Sequence, residues 1–198
     1  MDSGDTVRIA SAEYKGSEGT TCADNQMFLM VDLSGSIVCS SDDADCVLDG
    51  ESSRGVIYVM GTGSGKLTLR ALTFQKGKTS VGGGGWNEGG AVIIELCLFT
   101  NCGAISSYDG GGAIAAIGSS TTMNIYGTLF SGNTADSGNG NDIYGFSGGD
   151  AVVHLTCPSP YEDKPPVQGA ALDVYGPNIT GPLYSYSGCA DTADLALP

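Results

Sequence analysis

Three segments of the chain carry the same alternation of apolar and polar positions and align without gaps: Leu67-Thr-Leu-Arg-Ala-Leu-Thr-Phe74, Val92-Ile-Ile-Glu-Leu-Cys-Leu-Phe99 and Met123-Asn-Ile-Tyr-Gly-Thr-Leu-Phe130. Leu67, Val92 and Met123 form one apolar column. Leu69, Ile94 and Ile125 form a second, and a phenylalanine closes each segment. A period of two marks a strand with one buried face. The phenylalanines stand 25 and 31 residues apart, with glycine clusters between the segments. A repeat of that length, made of short strands and glycine corners, predicts the coils of a parallel β-helix. One coil cannot bury its apolar face alone. Stacked coils place equivalent residues ~4.8 Å apart and share one core.

Flanking motifs repeat with the strands. Gly111-Gly112-Ala113-Ile114 precedes Phe130, and Gly89-Gly90-Ala91-Val92 precedes Phe99. Gly55 stands 19 residues before Phe74, as Gly111 does before Phe130. The middle copy is shorter, unless its register starts at Gly84-Gly85-Trp86, and both registers stay open at this level. Phe130-Ser-Gly-Asn133 is an F-x-x-N. After Phe99 the asparagine, Asn101, comes one place early, and after Phe74 the equivalent place is Gly77.

Together these signatures resemble the polymorphic outer-membrane-protein repeat, whose hallmarks are GGA[IV] and FxxN. The resemblance covers roughly residues 50 to 155. It implies a right-handed parallel β-helix of the pectin-lyase-like class, in surface-exposed proteins that are often adhesive or passenger modules. It implies no catalytic apparatus. The expected fold is thus all-β, a single-domain right-handed parallel β-helix of roughly six turns with atypical ends. Residues 1–50 would form an N-terminal cap and the first turns, with strands at Val7–Ile9, Met27–Val31 and Ser36–Cys39. Residues 51–155 would carry the repeat turns. Ala151–Leu155 reads as the last regular strand, and residues 156–198 as a Pro- and Tyr-rich tail or cap, because Pro158, Pro160, Pro165 and Pro166 stop any hydrogen-bonded ladder.

Composition narrows the function classes. Glycine supplies 32 of 198 residues, 41% of the chain is hydrophobic, and only 15% is charged. A core can form, and helices with charged outer faces are disfavoured. The net charge of −14 repels phosphate backbones, so nucleic-acid binding is disfavoured. Half the acids, 11 of 22, fall in the first 51 residues, whereas Val56 to Asn133 holds only Glu88, Glu95 and Asp109. That leaves a near-neutral repeat region bearing Tyr58, Trp86, Tyr108 and Tyr126, the residue types that protein interfaces select. No apolar run is long enough to span a membrane. Met1 to Asp5 lacks the features of a signal peptide. Seven cysteines favour an oxidising compartment and hence an extracellular or cell-surface location. Disulfides are expected for Cys39–Cys46 and Cys157–Cys189, with Cys97 reduced and buried, and Asn178-Ile179-Thr180 is a glycosylation sequon.

Candidate chemistry is sparse. His154, the one histidine, lies ~13 Å along a strand from Asp150, too far for a dyad. Gly61 to Lys66 lacks phosphate-loop spacing. Residues 137–145, with Asp142, nearly match a Ca²⁺-binding nonapeptide, but one copy stands where tandem copies are needed. Asp42, Asp43 and Asp45 could gather a cation or form a solvated loop clamped by Cys39–Cys46. No cofactor is expected. Arg70, Glu95 and Tyr126 form an outward column in which opposite charges would pair across turns. The expected function is a non-catalytic structural or adhesion module that presents a rigid acidic β-helix for protein or glycan contact, in self-association or as a subunit of a larger assembly. The alternatives are a small polysaccharide lyase or epimerase and, third, an ice-binding β-helix, for which no threonine row persists.

Overall fold

The computed structural model describes residues 5–18, 27–32, 35–60, 65–107, 110–118, 121–136, 138, 140–145, 152–156, 174–175 and 179–180. These strands lie in parallel sheets seven, six, five and three strands deep, and the only helix among the described residues is one 3₁₀ turn, Gly16–Glu18. The chain is a parallel β-solenoid in which a sheet receives at most one strand per turn. In chain order the path runs from a first, seven-stranded sheet to a second, five-stranded one. It then passes a three-stranded corner ladder and a third, six-stranded sheet before returning to the first. Three turns carry all four strands. The central one is Gly90–Glu95, Leu98–Thr100, Gly103–Ala104 and Ile114–Ala116.

The apolar columns are in register. Leu67, Val92 and Met123 pair across the first sheet, as do Leu69, Ile94 and Ile125, all buried. Phe74, Phe99 and Phe130 stack inside the second sheet, with ring centroids 4.5 and 5.4 Å apart and planes within 10° of parallel. Such aromatic stacking adds to simple burial. The unequal phenylalanine spacing arises in the loops before and after the third sheet, which are longer in the turn from Phe99 to Phe130.

The third sheet decides the register that the sequence left open. Ile57, Gly85 and Ile114 are partners, and Ile143 continues the column. The middle copy is therefore Gly82-Gly83-Gly84-Gly85, in line with Gly111-Gly112-Ala113-Ile114 and two residues ahead of the alternative start at Gly84. Gly90-Ala91-Val92 instead belongs to the first sheet, where Gly90 pairs with Thr121. Three residues before that column lie Gly82, Gly111 and Gly140, with φ of 63°, 75° and 63°. This left-handed turn admits glycine without a Cβ penalty. The two corners flanking the second sheet are also left-handed, at Ala71, Leu96 and Gly127 and at Lys76, Asn101 and Gly132.

Gly85 stands where its neighbours carry isoleucine. A void of about 10 Å³ remains there, lined by Ile57, Phe99 and Ile114. A Cβ at Gly85 would meet Ile57 at 3.4 Å and Phe99 at 3.8 Å, ordinary contacts. Gly85→Ala is therefore expected to stabilise the protein by about 0.4–1 kcal/mol, through a less flexible unfolded chain. Chemical denaturation checks this, and a loss of stability would contradict the register.

The ladders also reach beyond the regular repeats. Thr6–Ile9, Glu13–Lys15 and Met27–Asp32 are rungs of the same sheets as the repeat strands. Val174–Tyr175 and Ile179–Thr180 add further parallel rungs, so Ala151–Leu155 is not the last strand and the ladders continue beyond the point where the sequence predicts their end.

One acid of the N-terminal quarter is buried rather than solvated. Asp49 is 2% exposed. Burial alone would raise its pKa. The Glu51 backbone N–H at 2.7 Å, the Lys76 ammonium at 3.0 Å and the Gln75 amide at 2.9 Å outweigh burial and hold it below its ordinary value. A lowered folded pKa gives stability that is present above the unfolded value and lost as pH falls through the folded one. The melting temperature should fall as pH drops below ~4, and Asp49→Asn should flatten that dependence. Lys76, raised by its bond to Asp49, contributes the mirror effect, lost as pH rises through its folded value. Melting curves from pH 2 to 6 test the acid limb, and equal slopes for both proteins would refute it.

Candidate functional site

The outer face of the third sheet carries the most distinctive side chains. Tyr58, Trp86, Ala115, Tyr144 and Tyr175 occupy one column, each following a residue of the isoleucine column, and so point away from the core. The Tyr58 and Trp86 rings lie 4.9 Å apart at 41°. Tyr144 and Tyr175 stack 5.8 Å apart. Between the pairs, Ala115 is fully buried in a small outer cluster with Val81, Tyr144 and Ile117. The Tyr58 hydroxyl donates to the Glu88 carboxylate. Burial, then this bond and the nearby charge, push the Tyr58 pKa up to about 12. The phenol thus stays protonated at neutral pH with its ring held against Trp86.

Of the four expected interface residues, the fold brings Tyr58 and Trp86 together. Tyr126 ends a first-sheet strand, paired with Glu95, and so stands on a different sheet. Tyr108 lies outside the described residues. Tyr144 escaped the sequence reading and Tyr175 entered it only as an aromatic of the tail, although Tyr144 follows Ile143 as Tyr58 follows Ile57. The spacing signal was there, interrupted by Ala115.

The acidic candidates disperse. Arg70 bridges Asp42 at 3.1 Å and Glu95 at 3.2 Å, a half-exposed surface network whose pairs are worth ~0–1 kcal/mol each. Asp43 is exposed. Asp45 accepts the Ser41 hydroxyl, and this bond, with one from Ser11, lowers its pKa. Among the described residues, the one close group of three metal-type donors is Cys39, Asp45 and Cys46. Its two sulfurs are joined in the Cys39–Cys46 disulfide, with Cα atoms 5.6 Å apart. Asp142 is buried at a corner, accepting from Asn133 Nδ2 at 2.9 Å. Asn133 also donates to the Phe99 carbonyl at 3.1 Å and accepts from the Cys102 N–H at 3.0 Å. The asparagine of F-x-x-N thus ties adjacent turns together. Cys157, Cys189 and Asn178 lie outside the described residues. The His154 backbone pairs with Asn124 and Thr180 in the first sheet.

Cys97 and Cys102 are free thiols, both buried. Burial pushes each pKa up to about 12. Thiolate is the reactive form. In native protein neither thiol should react measurably with a disulfide reagent at pH 8, and both should react on unfolding. A timed thiol assay checks this, and rapid native labelling of either would show that the coil opens.

No helix of the described residues is long and apolar enough to cross a membrane. No family model matches the chain, and neither a curated protein nor a solved structure matches it.

Proposed function

We propose that this protein is a non-catalytic module of an extracellular or cell surface, a rigid β-helix that presents its repeat coils for adhesion or assembly. One observation carries the reading. Tyr58 and Trp86 form a ring pair on the outer sheet face, fixed by Glu88, within a stretch whose charges nearly balance. Aromatic anchors of this kind concentrate binding energy in protein interfaces. The resemblance to polymorphic outer-membrane-protein repeats supports a surface role. It rests on the Gly111–Ile114 and Phe130–Asn133 copy, since the second GGA[IV] match falls in another sheet. The acidic N-terminal coils then serve solubility, and the repeat coils serve contact.

The test is affinity capture from the native source, followed by titration with the purified partner. Trp86→Ala should weaken binding by about 30-fold, the effect of a hot spot of ~2 kcal/mol. Asp42→Asn and Asp43→Asn should leave it unchanged. Binding that ignores Trp86 but collapses with the aspartate changes would overturn the assignment. Release of unsaturated sugar from polyuronates would overturn the non-catalytic reading.

A further inference from the structure

A second site lies on the corner ladder, away from the aromatic column. There Lys78, Gly103 and Thr134 share one outward column on three successive turns. Gly103 has no side chain, so the column is broken at its middle rung, and the flanking residues stand ~9.6 Å apart. The break opens a groove of about 250 Å³, walled also by Asn101, Ile105 and Asp136. That volume is the share of roughly eight waters in the liquid. It is below the ~300–1,000 Å³ of pockets for drug-sized ligands, so it suits a single ring.

We infer that this groove binds one residue of a neutral glycan. Its walls mix donors and acceptors around an apolar patch. Lys78 donates, Asp136 accepts, and neither has an ion-pair partner among the described residues. Thr134 can do both. The Asn101 amide nitrogen is engaged with Thr100 at 3.1 Å, which leaves its carbonyl oxygen to accept. Ile105 is 52% exposed and offers hydrocarbon to the C–H face of a sugar ring. A sugar hydroxyl both donates and accepts, so a ring of hydroxyls meets every group here. A phosphate or uronate would face Asp136 and a net charge of −14, and a basic peptide would face Lys78. The inference goes beyond the aromatic interface and does not depend on it.

The experiment titrates isotope-labelled protein with four neutral trisaccharides, of glucose in α and β linkage, of mannose and of xylose, while amide resonances are followed. At least one should shift Gly103, Ala104 and Ile105 at millimolar concentration. Gly103→Val should fill the groove and weaken that binding by about tenfold or more. Its Cβ would meet only Thr134, at 3.5 Å or beyond, so the coil should stay folded. Should Gly103→Val nevertheless unfold, Asp136→Asn and Lys78→Met read out the same groove, each expected to weaken binding about fivefold. No shift with any of the four sugars overturns the inference. So does a shift confined to Trp86, or binding indifferent to these substitutions. None of those results touches the protein-partner test of Trp86.

Discussion

Phe99→Ala should destabilise the protein by ~3–5 kcal/mol, the usual range for truncating a buried phenylalanine. At about 3 °C per kcal/mol for a chain of this size, the melting temperature should drop by roughly 10–15 °C. Phe99 is the middle ring of the stack, in contact with Phe74 on one side and Phe130 on the other, and 1% exposed. Truncation removes both ring contacts and leaves a cavity between two fixed turns. The backbone hydrogen bonds of Leu98–Thr100 to both neighbouring strands resist collapse into that cavity. Phe130→Ala should cost less, since Phe130 stacks on Phe99 at the larger separation of 5.4 Å. Denaturant titration of the two variants gives the comparison. A Phe99→Ala cost under ~1 kcal/mol would mean that the stack contributes little to cohesion.

The second large effect is expected at Gly83, for a steric reason. Its backbone passes where the corner ladder meets the approach to the third sheet. An added Cβ would stand 2.4 Å from the Gly103 carbonyl oxygen, 2.6 Å from that of Gly77 and 2.7 Å from the Gly103 nitrogen. All three are main-chain atoms of hydrogen-bonded turns, so no side chain can swing aside. Indeed, the Gly103 N–H donates to the Gly77 carbonyl at 2.7 Å. Overpacking of this kind costs typically 1–3 kcal/mol, and Gly83→Ala should reach about 3. Gly103→Ala, whose Cβ meets nothing closer than 3.5 Å, is the control and should be near neutral. If both variants unfold at the same denaturant concentration, the close approach at Gly83 is not real.

These two sites differ in how readable they were. Phe99 announces itself: a large apolar residue recurs at the same offset from the same alternating strand. Gly83 sits in the run Gly82–Gly85, where identical residues face a left-handed turn, a backbone crossing and a core void in succession. Nothing in four glycines distinguishes those roles. The GGA[IV] match at Gly89–Val92 then competed for the register, although Gly82, Gly111 and Gly140 keep an even spacing of 29 residues. Lys76 and Asp49 illustrate the same limit for charges. They are far apart in the chain, and a left-handed corner at Lys76 delivers its ammonium to a buried carboxylate.

The sequence alone determined the parallel strand columns of the first and second sheets. A period of two leaves no freedom there, because slipping a strand by one residue would turn Leu67, Leu69 and their partners out to water. It also determined the short Cys39–Cys46 closure and the burial of Cys97, through spacing and column membership. The tertiary structure decided the register of the third sheet, the assembly of Tyr58, Trp86, Tyr144 and Tyr175 into one outward column, and the groove over Gly103. Those features depend on corner loops of unequal length. Only closure of the coil converts separations of 28 to 31 residues into neighbours one rung apart.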